Sequence, residues 1–133
     1  MSRSTKERID DIEDAIQRIV SAEIKLDESV DTDDSDLFFD AILYRLLVIG
    51  EAVKALPNAL LLQMPEVPWT DICRLRDLLA HQYHRVDPSI IRSTCDQPLA
   101  ALSAALPALR ALIADETSLD DSGDQARQCA SSS

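Results

Sequence analysis

The chain has 133 residues, with 13 Lys+Arg against 24 Asp+Glu, a formal net charge of -11 and a pI near 4.4. That balance excludes the broad basic surface on which non-specific nucleic-acid binding draws. With 46% hydrophobic residues and only 2 Gly, the length suffices for one domain with a real core, and helix is favoured over sheet.

The opening MSRSTKERIDD lacks the apolar stretch of a secretory signal. No continuous run approaches the ~18 apolar residues of a membrane span, so the cytoplasm is the expected compartment. From Thr5 to Leu26, Ile9, Ile12, Ile16 and Ile19 recur at steps of three and four with charges between them, which predicts an amphipathic helix. Asp27 to Ser35 reads as an acidic connecting loop. Asp36 is the expected cap of a second helix running to Leu56.

That second helix is apolar on more than one stripe: Phe38, Phe39, Ile42, Leu43, Leu46, Leu47, Ile49, Val53 and Leu56. One stripe is enough for an intramolecular bundle, so the excess predicts a second buried surface and a homodimer. Gly50 costs about 1 kcal/mol in a helix relative to Ala, and its expected return is close approach of another backbone. Arg45, Glu51 and Lys54 read as a surface or interhelical charge set.

Pro57, Pro65 and Pro68 punctuate the next segment, with one helical turn expected at Ala59 to Leu62. Pro68 suits the first turn of a third helix and Asp71 its positive end. That helix should turn Trp69, Ile72, Cys73, Leu75, Leu78 and Leu79 inward and fray near His81 to His84. Asp87-Pro88 starts a fourth helix, in which Pro98 and Pro107 predict kinks. Residues 115–133 form an acidic tail with the composition of disorder, leaving residues 1–114 as the folded domain. The expected fold is all-α, an up-and-down four-helix bundle.

Cys73, Cys95 and Cys129 show neither paired nor metal-ligand spacing, and Cys73 and Cys95 read as reduced core residues. There is no Glu-x-x-His pair for a di-iron bundle, no zinc spacing and no Gly-rich phosphate loop. No metal and no cofactor is expected.

Chemistry concentrates in RLRDLLAHQYHRVD, Arg74 to Asp87, which holds both histidines. A permanently charged guanidinium, Arg76, beside the side chain that titrates near neutral pH, His81, suits work at a phosphate. At about 100° per residue Arg76 and Tyr83 share a face, whereas His81 lies about 140° from Arg76. Bringing the pair together requires either that the helix unwinds before His81 or that a two-fold axis joins Arg76 and His81 of two protomers. The same residues also fit a solvated helix end, with Asp77 paired to Arg74 or to His81.

RDLLAHQY resembles the Arg-polar-x-x-x-His-x-Tyr signature of HEPN-domain toxins of the HepT type. RLLVIGEAVK (Arg45 to Lys54) resembles that family's second-helix signature, and PEVPW (Pro65 to Trp69) its entry into the catalytic helix. HRVD after the motif is also typical, and the likeness runs from residue 6 to residue 113. At position 77 many relatives carry Asn where this chain has Asp.

The resemblance implies a helical homodimer acting as a metal-independent endoribonuclease toxin on RNA. Its implied partner is a minimal nucleotidyltransferase antitoxin that transfers AMP to Tyr83. Arg76 would then hold the phosphate, His81 serve as general acid or base, and Asp77 support one of them. Arg74 and Arg85 are assigned to flanking phosphates. The alternative is a non-catalytic dimeric helical module that binds, and is modified by, the nucleotidyltransferase; the acidic composition favours it.

Overall fold

A computed structural model of the chain describes residues 3–28, 34–82 and 88–115. It contains five helices: α1 (Thr5–Glu28), α2 (Ser35–Lys54), α3 (Asn58–Leu62), α4 (Trp69–Gln82) and α5 (Pro88–Asp115). Four are long and α3 is a single short turn. There is no strand among the described residues. The expected tail falls outside them, apart from Asp115 at the end of α5.

α1 begins with a reciprocal cap. The Glu7 amide donates to Ser4 Oγ (3.1 Å) while the Ser4 amide donates to Glu7 Oε1 (2.8 Å), satisfying two otherwise orphaned donors. The predicted isoleucine stripe is buried and extends through Ala15, Ala22 and Leu26. α1 packs along α2, which carries α4 on another side, and α1 also receives α5; α4 and α5 touch only briefly. The core is therefore centred on α2, with Ile42, Leu43, Leu46, Ile49 and Val53 buried.

Much of the surplus on α2 is absorbed within the chain, because Phe38, Phe39, Leu47 and Val48 pack half-buried against this core. Leu37 and Tyr44 stay exposed, with the Arg45 guanidinium 5.1 Å from the Tyr44 ring centre. The cap of α2 is Asp34 rather than Asp36, which instead lies in the first turn near the positive helix end.

The turn between α2 and α4 is fixed by Trp69. Its indole N–H lies within hydrogen-bond reach of the carbonyls of Leu61 (3.1 Å) and Met64 (3.0 Å), tying α3 to the start of α4. Pro68 precedes α4 and accepts its first hydrogen bond, from the Ile72 amide (3.2 Å).

α5 starts at Pro88 as expected and continues as one helix through Pro98 and Pro107. Each interior proline removes one amide donor and costs about 3 kcal/mol. Burial of Leu99, Leu102, Ala105, Leu106 and Leu109 along the same helix outweighs this. By length and composition alone, Ile91–Ala114 of α5 is long and apolar enough to cross a bilayer, and 28% of that stretch is buried within the chain.

Cys73 is fully buried but is disulfide-bonded, not the free thiol its spacing suggests. The spacing misleads because pairing depends on which cysteines the fold brings together, and that is absent from a local motif.

Candidate active site

The site is assembled where α4 crosses α2, and Gly50 sets the approach. A methyl group placed on Gly50 would overlap Arg76 Cβ and lie 2.5 Å from its Cγ. The helices can pack this closely only because position 50 has no side chain. The aliphatic stem of Arg76 fills the space, so its guanidinium emerges beside Glu51 and Lys54 of α2.

Arg76 Nε donates to Glu51 Oε2 at 2.8 Å, and Nη2 donates to the same oxygen. Nη1 donates to Asp77 Oδ1 at 3.0 Å. That Asp77 oxygen also accepts from Lys54 Nζ at 3.1 Å. The result is a chain of alternating charge, Glu51–Arg76–Asp77–Lys54, with no net charge. The Arg76, Asp77 and Lys54 side chains are roughly three-quarters buried, whereas Glu51 is 57% exposed.

Hydrogen bonds to Glu51, partly opposed by burial and reinforced by Asp77, hold the Arg76 guanidinium more firmly protonated than usual. Burial works to raise the Asp77 carboxyl, but the hydrogen bonds from Lys54 and Arg76 together outweigh it. Asp77 therefore lies below the ordinary carboxylate range.

His81 lies in the last turn of α4 and is exposed. Because α4 continues to Gln82, the helix does not unwind before His81. Five residues of regular helix put His81 about 7.5 Å further along the axis and about 140° around from Arg76. One chain thus does not turn the two toward a common point. Of the two expected routes to a shared cleft, unwinding before His81 is absent from α4.

Asp77 pairs with Lys54 and Arg76, so its supporting contact is to the guanidinium. Arg74 is exposed, and at two residues' distance it points about 160° away from Arg76. Tyr83 and Arg85 lie outside the described residues. Glu51 and Lys54 join the site although the sequence marks them only as a charge set. The available signal was their position on either side of one helical turn next to Gly50. No cluster of three or more His, Cys, Asp or Glu arranged to hold a metal occurs among the described residues.

The profile of the family described as "Ribonuclease HepT-like" matches residues 6–109. A protein of Thermococcus cleftensis named "Probable ribonuclease HepT" is 34% identical over 112 residues, which cover 83% of this chain and 99% of that protein. "Putative RNase MJ0127" of Methanocaldococcus jannaschii is 47% identical over 51 residues, covering 38% of this chain and 42% of its own. "Putative RNase TTE0752" of Caldanaerobacter subterraneus subsp. tengcongensis is 43% identical over 54 residues, covering 41% and 48%. No solved structure matches the chain. The family match over residues 6–109, together with a relative covered over 99% of its length, shows that the chain belongs to the HepT-like ribonuclease family.

Proposed function

We propose that the chain is a metal-independent endoribonuclease toxin that acts as a homodimer, with Arg76 of one protomer facing His81 of the other. The observation that carries this reading is α4 itself. It anchors Arg76 against α2 and continues unbroken to an exposed His81 on a different face.

In the proposed reaction the ribose 2′-oxygen attacks the adjacent phosphorus and the bond from phosphorus to the 5′-oxygen breaks. The products are a 2′,3′-cyclic phosphate and a free 5′-hydroxyl. A base removes the 2′-hydroxyl proton and an acid delivers one to the departing 5′-oxygen. His81 performs one of these steps, since imidazole exchanges protons near neutral pH. Arg76 holds the non-bridging oxygens and stabilises charge gathering on them. Asp77 keeps Arg76 in place.

Control falls to a nucleotidyltransferase antitoxin. The Tyr83 oxygen attacks the α-phosphorus of ATP, pyrophosphate leaves, and the phenolic proton passes to solvent. The AMP adduct, two residues from His81 in sequence, brings negative charge and bulk to the place where RNA must bind. Leu37 and Tyr44, exposed on α2, are the proposed contribution of that helix to the dimer.

The test is direct. The purified chain should cut single-stranded RNA in EDTA and leave cyclic phosphate ends, and Arg76→Ala or His81→Ala should leave only a small residual rate. A second reading, a non-catalytic module that presents Tyr83 to the antitoxin, is favoured by one observation. The charge on Arg76 is already matched by Glu51 and Asp77. Intact RNA after incubation with wild-type chain, alongside normal modification of Tyr83, would select it.

A further inference from the structure

We propose that Glu51 is a positioning residue for the phosphate-holding guanidinium, a role that rests on the nuclease reading above. An arginine carries five N–H donors in a rigid plane. Among the described residues, three of Arg76's have partners: Nε and one N–H of Nη2 go to Glu51, and one N–H of Nη1 goes to Asp77. Of the other two, one belongs to Nη1 and one to Nη2, the two terminal nitrogens of the fork. That is the spacing at which two phosphate oxygens are held side by side.

Glu51 determines where that end points. Gly50 meets the stem of Arg76 at Cβ and Cγ, and beyond it the guanidinium is held by its hydrogen bonds to Glu51 and Asp77. A single Glu51 oxygen accepting from both Nε and Nη2 fixes the rotation of the plane. Asp77, bonded to the opposite nitrogen and held by Lys54, fixes its tilt. Glu51 is 57% exposed, so the hydrophobic core does not depend on it. Its removal frees the guanidinium without dismantling the fold.

The opposite role for the same contact is competition, in which Glu51 occupies the edge that phosphate needs. The two roles separate kinetically. Positioning is felt in kcat, whereas a competitor raises KM.

The experiment uses the full chain and a single-stranded RNA oligonucleotide in EDTA. Wild type, Glu51→Ala, Glu51→Gln, Arg76→Ala and the double Glu51→Ala/Arg76→Ala variant are compared for kcat, KM and thermal midpoint. Glu51→Ala should lower kcat by about ten- to a hundredfold, the scale of a displaced catalytic group. KM should stay within about threefold, and the thermal midpoint should hardly move. Glu51→Gln, which keeps one acceptor oxygen, should recover part of the loss. In the Arg76→Ala background, adding Glu51→Ala should change the residual rate no further, because nothing is left to position.

Unchanged kcat, a lower KM at unchanged kcat, or an additional loss in the Arg76→Ala background would each overturn the assignment. Wild-type chain that leaves RNA uncut would remove the nuclease reading, and this role with it. Active wild type with an equally active Glu51→Ala would remove the positioning role alone.

Discussion

Gly50 of α2 lies directly against the β- and γ-carbons of Arg76 on α4, so the residue proposed to hold the phosphate is also the knob that fits this helix crossing. Fold and site share one contact. Substitution there has two opposed effects. Ala gains up to about 1 kcal/mol in helix propensity over Gly. The added methyl, however, meets the root of the Arg76 side chain rather than a flexible tip, and overpacking of this kind costs about 1–3 kcal/mol. Overpacking wins. Gly50→Ala should lower stability by about 1 kcal/mol in a denaturant titration and, by shifting Arg76, cut RNA cleavage more than the stability loss explains.

Acid should weaken the fold through Asp77. The folded chain holds this carboxyl below its unfolded value, so fewer protons are bound there when folded. Its stabilisation is complete above the unfolded value of about 3.9 and is lost as pH falls through the lower folded value. Asp10, held down by Arg110 and then Lys6, acts in the same sense. Thermal midpoints measured from pH 6 downward should fall below about pH 4. In Asp77→Asn the midpoint should start lower and fall less.

Glu23 should behave in the opposite way. Burial, and then the neighbouring Asp96, push its carboxyl up, while Arg92 draws it down only in part. A raised carboxyl favours the fold while protonated, and that contribution is lost as pH rises through the folded value. Glu23→Gln should therefore stabilise the chain at pH 7, by less than about 1 kcal/mol because solvent screens the site. The gain should vanish at acid pH. A variant no more stable than wild type at pH 7 would mean that this carboxylate carries no penalty.

Much of the frame is legible in local pattern. The isoleucine spacing of α1, the turn at residues 59–62 and Pro88 as the first residue of α5 each follow from periodicity or proline chemistry, and the structure has them there. Gly50 is legible as a place of close approach, though not what approaches it. The identity of its neighbour depends on the register of α2 against α4, residues 26 apart, which no helical repeat encodes. For the same reason the Glu51–Arg76 and Lys54–Asp77 pairs are invisible beforehand. The continuity of α5 through Pro98 and Pro107 rests on burial along that helix, which offsets the local penalty of each proline.

A mixed dimer tests the central claim most directly. Arg76→Ala and His81→Ala chains, each nearly inactive alone, are co-expressed with different tags and the mixed pair is isolated. If each site takes its arginine from one protomer and its histidine from the other, one of the two sites is intact, and roughly half of the wild-type cleavage should return. A mixed pair as inactive as either parent, or a wild-type chain that cuts RNA as a monomer, would contradict it.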